Sequence, residues 1–124
     1  MLLGGAAEGP VAPRDRDQGS FGHLIVCTEQ YGEDTVITLQ GKLDIASEPC
    51  FESALRRAWG IGGTRMVIDL SELEFIDAIG LKALLRTRER ILERGRQLFL
   101  LKGPPNVQRI FELTGTLELF TFHD

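Results

Sequence analysis

The stretch Val67–Leu85, VIDLSELEFIDAIGLKALL, decides the fold. It continues from Met66 as an apolar run to Leu70 broken only by Asp69, which reads as a buried central strand of a parallel sheet. A short loop follows. Asp77 then stands where an N-cap belongs, because an Asp side chain can accept from the unpaired amides of a first helical turn. Leu81, Leu84, Leu85 and Leu92, with Ile91 beside them, recur at helical spacing and form a buried stripe. That helix runs from about Ala78 to Arg94 and stops at Gly95.

Upstream, His23–Tyr31 and Thr35–Gln40 read as two strands joined by the turn Gly32-Glu33-Asp34, an antiparallel hairpin. In the second strand Ile37 and Leu39 share one face, while Val36, Thr38 and Gln40 share a more polar one. One side of the sheet is therefore less covered. After the loop Gly41–Asp44, Ser47 is placed to cap a helix over Glu48–Trp59, and Pro49 fits its first turn. Phe51, Ala54, Leu55 and Ala58 fall on one face of it, and Gly60, Gly62 and Gly63 end it. Downstream, Gln97–Leu101 is a strand and Gly103-Pro104-Pro105 breaks the chain. A third helix then runs from Pro105 to Thr114-Gly115 with Val107, Ile110 and Phe111 inward, and Leu117–Phe122 alternates as a last strand. The order β-β-α-β-α-β-α-β makes an α/β fold. Its sheet is mostly parallel with an antiparallel N-terminal strand, and its helices lie mainly on one face.

With 124 residues there is room for one domain. Residues 1–20 are dominated by Gly, Ala, Pro and alternating charge and are expected to form a disordered tail, leaving 21–124 as the domain. A net charge of −4 argues against nucleic acid as the partner, since phosphate contacts need a basic surface. No apolar run approaches the roughly 18 to 20 residues of a membrane span. Leu2 and Leu3 follow no positive segment, so no secretory signal is read and a cytoplasmic location is expected.

Several residues invite a chemical role. Cys27 and Cys50 fall in a strand and a helix and read as buried thiols. A redox bridge between them would need Cα atoms within about 7 Å. No CxxC or Cys/His cluster suggests a metal, and no triad, carboxylate pair or Gly-rich phosphate loop suggests catalysis, so neither enzyme activity nor a cofactor is expected. His23 and His123 lie near the domain ends without partners at useful spacing. Asp44 can bond its own backbone in the loop. Asp69, near the end of its strand, is expected to cap a loop or meet a partner, because a buried unpaired carboxylate is costly. Arg86, Arg88, Arg90, Arg94 and Arg96, interleaved with Glu89 and Glu93, read as a solvated helix face with local ion pairs.

Four segments in register resemble the STAS domain, the fold of bacterial anti-sigma-factor antagonists. Gly41-Lys42-Leu43-Asp44 is similar to the family's Gly-x-Leu-Asp loop, and Val67–Ser71 to its central strand. Phe75-Ile76-Asp77 leading to Gly80-Leu81 resembles the start of its second helix, and Val107–Gly115 its late helix and glycine stop. The resemblance implies that the Asp44 loop and the start of the second helix lie side by side. It further implies that Asp44, Asp77, Ala78, Ile79 and Gly80 dock an anti-sigma factor, a histidine-kinase-like ATPase that doubles as a serine kinase, and that no catalysis is involved.

In the family the residue before the glycine is a Ser or Thr that accepts phosphate. Here it is Ile79, which cannot. A phosphate there would add about −1.5 to −2 charges in the middle of an interface. Ile79 removes that switch, and two readings follow: an antagonist fixed in its binding-competent state, or a member whose Ile packs inward and whose site is dead. Among remaining hydroxyls, Ser47, Ser71 and Thr87, Ser71 beyond the central strand is the best substitute acceptor. Two rival functions stand beside antagonism: an accessory subunit of an ABC lipid transporter, and a sensor of nucleotide or another small ligand. Oligomeric state is not read from the sequence.

Overall fold

Alternating burial along the strands explains why the helices collect on one side of the sheet. In the computed structural model, which describes residues 15–18, 24–60 and 63–124, the strands are β1 (Asp15–Gln18), β2 (Leu24–Tyr31), β3 (Asp34–Leu43), β4 (Arg65–Ile76), β5 (Gln97–Leu101) and β6 (Phe122–His123). They lie side by side in chain order. β1–β2 and β2–β3 are antiparallel; β3–β4, β4–β5 and β5–β6 are parallel. Leu24 and Val26, Ile37 and Leu39, Met66, Ile68 and Leu70, and Leu100 are fully or almost fully buried on one face. Their sequence neighbours Val36, Thr38, Val67, Asp69, Phe99 and Leu101 are only half-buried on the other. The buried face carries all three helices: α1 (Glu48–Ala58) over β2 and β3, α2 (Ala78–Glu93) over β4 and β5 beside α1, and α3 (Pro105–Thr114) over β4.

The expected α/β order therefore stands, with one strand added. β1 falls within the span 1–20 expected to be a tail; the rest of that span, and His23, lie outside the described residues. The inward faces of α1 and α3 match their periodicity: Phe51, Ala54, Leu55, Ala58, Val107 and Phe111 are buried and Ile110 packs against them.

Four local expectations are corrected. The loop expected after Leu70 is strand, since β4 continues to Ile76. Two register shifts allow this: Thr38 faces Asp69 but Gln40 faces Glu72, and Gly41 faces Leu73 but Lys42 faces Phe75. Each extra residue on β4 resets the alternation, which keeps Leu70, Leu73 and Ile76 inward at a spacing no regular strand would give. Likewise Gly41–Leu43, expected as loop, belongs to β3.

Leu92 is not part of the buried stripe of α2; it is 51% exposed, while Ile91 and Thr87 are wholly buried. The inward arc runs through Leu84, Thr87 and Ile91. The Thr87 hydroxyl donates to the Ala83 carbonyl at 2.8 Å, which makes a polar group tolerable there. Finally, Leu117–Leu119 is a 3-10 turn and only Phe122–His123 pairs as a strand. The Leu119 amide donates to the Thr116 carbonyl at 3.0 Å, an i to i+3 bond that curls the chain into the turn, and the rings of Phe120 and Phe122 both meet Phe111 edge-on, at 5.5 and 5.2 Å between centroids.

Candidate functional site

The C-terminal ends of β3 and β4 lie next to each other, with Leu43 opposite Ile76, so the segments that follow them emerge together. Asp77 is extended (φ −107°, ψ −175°) and caps α2: one carboxylate oxygen accepts from the Gly80 amide at 2.8 Å. Its other oxygen accepts from the Ile45 amide at 3.3 Å, across the gap between the two segments. The Asp77 amide donates to the Leu43 carbonyl at 3.3 Å. One side chain thus starts the helix and ties the neighbouring loop to it.

The loop is held just as firmly from within. Asp44 accepts through one carboxylate oxygen from the amides of Ala46 and Ser47, at 3.1 and 3.0 Å. The Ser47 hydroxyl accepts from the Asp44 amide at 3.0 Å and donates to the Lys42 carbonyl at 2.7 Å. Ser47 occupies the N-cap position of α1 but makes no side-chain cap, because its hydroxyl is spent on the loop. Gly80 permits the close approach of α2. A Cβ there would collide with the Leu43 carbonyl oxygen, and Ile76 Cγ1 would lie only 3.0 Å away.

Asp44 and Asp77–Gly80 are thus brought together, but their roles divide. The two carboxylates are engaged inside the scaffold. What the surface offers outward is apolar: Ile45 is 70% exposed and Phe75 45%, Ala78 is exposed, and Ile79 is half-buried and, among the described residues, outside the core cluster. Sequence reasoning missed Ile45 and Phe75. Phe75 was hidden by the second irregularity of β4, which turns it out while Ile76 turns in.

The other candidates fall elsewhere. Asp69 neither ends its strand nor caps a loop; its carboxylate accepts from the Ser71 amide at 2.9 Å and stabilises the first irregularity. Ser71 is exposed on β4, whereas Ser47 and Thr87 are buried. Arg86 and Arg90 do not pair locally along α2. They reach across to Glu48 and Glu52 of α1, at 2.8 and 2.9 Å for the shorter contacts, while Arg94 lies 4.4 Å over the Trp59 ring. Cys27 is buried as expected, in register with Thr38 on the face opposite the helices, whereas Cys50 on α1 is only half-buried, so the sheet separates the two thiols. His123 packs its ring against Phe99 at 5.0 Å. Among the described residues no group of three or more His, Cys, Asp or Glu is placed to hold a metal, and no helix is long and apolar enough to cross a membrane.

Known proteins resemble this chain along most of its length. The family model for the STAS domain matches residues 26–124. The anti-sigma-F factor antagonist RsfB of Mycobacterium tuberculosis is 32% identical over 105 residues, 82% of this chain and 85% of its own. A crystal structure of an anti-sigma factor antagonist from Mycobacterium paratuberculosis superposes with a TM-score of 0.74 at 27% identity, over 81% of this chain and 85% of that one. The antagonist SpoIIAA in its unphosphorylated form shares the fold, with a TM-score of 0.66 at 21% identity over 80% and 88% of the two chains. The same protein, from Bacillus, is also known in a phosphorylated form. On the match over residues 26–124, the chain belongs to the STAS domain family.

Proposed function

We propose that this chain is an anti-sigma-factor antagonist, and that it docks an ATPase-type anti-sigma factor through the segments after β3 and β4. The antagonists RsfB and the Mycobacterium paratuberculosis protein are the relatives that support the reading. The observation that carries it is the rigid, outward-facing apolar surface around the Asp77 cap, built from Ile45, Phe75, Ala78 and Ile79. Exposed apolar residues on a fixed scaffold suit a protein interface. Ile79 then contributes a contact at the position where the family carries its phosphoacceptor. Since isoleucine accepts no phosphate, binding is fixed in the competent state, and the partner's kinase activity cannot release it at this residue.

Two features speak against a small-ligand sensor. The strand order never reverses, so the sheet lacks the crevice at a topological switch point where α/β folds take ligands. Both carboxylates near the site are also already satisfied by backbone amides.

The test is capture from native lysate with the wild-type chain beside Ile79→Asp. Recovery of an anti-sigma ATPase by the wild type and its loss with the acidic variant supports the proposal. Equal capture of that ATPase by both places residue 79 outside the interface. Recovery of transporter components would replace antagonism with the transporter-subunit reading.

A further inference from the structure

A second apolar surface lies away from the Asp77 site, where the C-terminal half of α2 meets the 3-10 turn. Leu92 on α2 is 51% exposed, and Leu117 and Leu119 on the turn are 38% and 45% exposed. Leu113, near the end of α3, is 74% exposed. Residues of the turn Leu117–Leu119 line two hollows. One is lined by Arg88, Leu92, Leu98 and Leu119, the other by Glu112, Gly115, Leu117 and Glu118. A hollow with a cation is therefore joined, through the turn, to a hollow with two carboxylates.

That arrangement is self-complementary. A two-fold axis running along the turn would face the turns of two copies to each other and bring Arg88 of each toward Glu118 of the other, both contacts forming at the same time. The charges are available for it. Among the described residues, neither Glu112 nor Glu118 has an ion-pair partner, and Arg88 uses its Nε–H on the Leu119 carbonyl without meeting a carboxylate. By contrast Arg86 and Arg90, on the same helix, are already paired with α1. We propose that this face binds a second copy of the chain, as a symmetric dimer with the leucines at its centre and reciprocal Arg88–Glu118 contacts at its rim. Because the face lies apart from Asp77, both copies keep their first surface open, and the inference stands whether or not that surface binds an anti-sigma factor.

The experiment is sedimentation velocity over a range of concentrations on the full chain, with Arg88→Glu and Glu118→Arg each alone and then mixed. The wild type is expected to dimerise with concentration. Each single variant sets like charges against each other at both rim contacts and should weaken association by roughly tenfold or more. An equimolar mixture of the two should restore a dimer, since each reversed charge then meets its opposite on the other chain. That rescue also shows that neither variant is misfolded. A wild type that stays monomeric at all concentrations overturns the proposal, as do single variants that dimerise like the wild type or a mixture that remains monomeric.

Discussion

Replacing Asp77 with alanine removes two hydrogen bonds at once, and the structure says how much each matters. The bond from Gly80, at 2.8 Å, is the cap of α2; losing such a cap costs about 1 kcal/mol. The bond from Ile45, at 3.3 Å, is longer, yet it accepts on a carboxylate and leaves a loop amide without its partner, worth about another 1 kcal/mol. Asp77→Ala should therefore lose about 2 kcal/mol. Asp77→Asn keeps one amide oxygen for the cap and turns an amino group toward Ile45, so it should lose about half of that. Urea denaturation of the three proteins measures the differences directly. The melting temperature of the alanine variant should fall by about 8 °C for a domain of this size. Hydrogen exchange at the Ile45 amide should quicken in both variants, because both lose the bond across the gap. The reasoning is refuted if Asp77→Ala lies within about 0.5 kcal/mol of the wild type, or if Asn is as damaging as Ala.

The same geometry predicts the sign of Gly80→Ala. In an open helix this change stabilises by about 1 kcal/mol, but here the new methyl meets the Leu43 carbonyl, and a loss of about 1–3 kcal/mol is expected in urea denaturation. A stabilised variant would mean that α2 and the end of β3 are not in contact. Glu52→Gln removes the carboxylate that faces both Arg86 and Arg90, with Glu52 itself mostly covered. Its cost should be about 1 kcal/mol at low salt and should shrink as added salt screens the wild-type pairs. A loss that is independent of salt would assign the effect to packing of the side chain rather than to its charge.

Most of the architecture was legible because it rests on periodicity. The inward faces of α1 and α3 follow from the 3.6-residue repeat alone, β2 and β3 from alternation, and the first half of β4 from its apolar run. What was not legible breaks that repeat. The two extra residues in β4 make Leu70, Leu73 and Ile76 inward-facing at intervals of three, which resembles neither a strand nor a turn. The reading of Leu117–Phe122 as strand failed because alternation does not show the bond from the Leu119 amide to the Thr116 carbonyl, which closes a 3-10 turn there. In the site, the juxtaposition of the Asp44 loop and Asp77 was carried by a family resemblance, and the structure supplies its physical cause in the bond from Ile45. The assignment of outward roles to Asp44 and Asp77 could not be judged from residue type. The N-cap at Asp77 and the bond of Asp44 to its own backbone were legible from position and are what the geometry shows, whereas a part in docking rested on the resemblance. The large apolar residues Ile45 and Phe75 passed unnoticed for the opposite reason, since nothing in the sequence marks an isoleucine or phenylalanine as exposed.

We propose that Ile79 fixes this chain in a form that an ATPase-type anti-sigma factor binds and cannot release by phosphorylation. The direct measurement is the affinity of the purified chain for that ATPase, before and after incubation with ATP, for the wild type and for Ile79→Ser. The wild type should bind equally well in both conditions, whereas Ile79→Ser should bind before incubation, take up phosphate, and then lose affinity. Phosphate incorporation and release in the wild type would contradict the claim, and so would an Ile79→Ser variant that is phosphorylated yet binds as tightly as before.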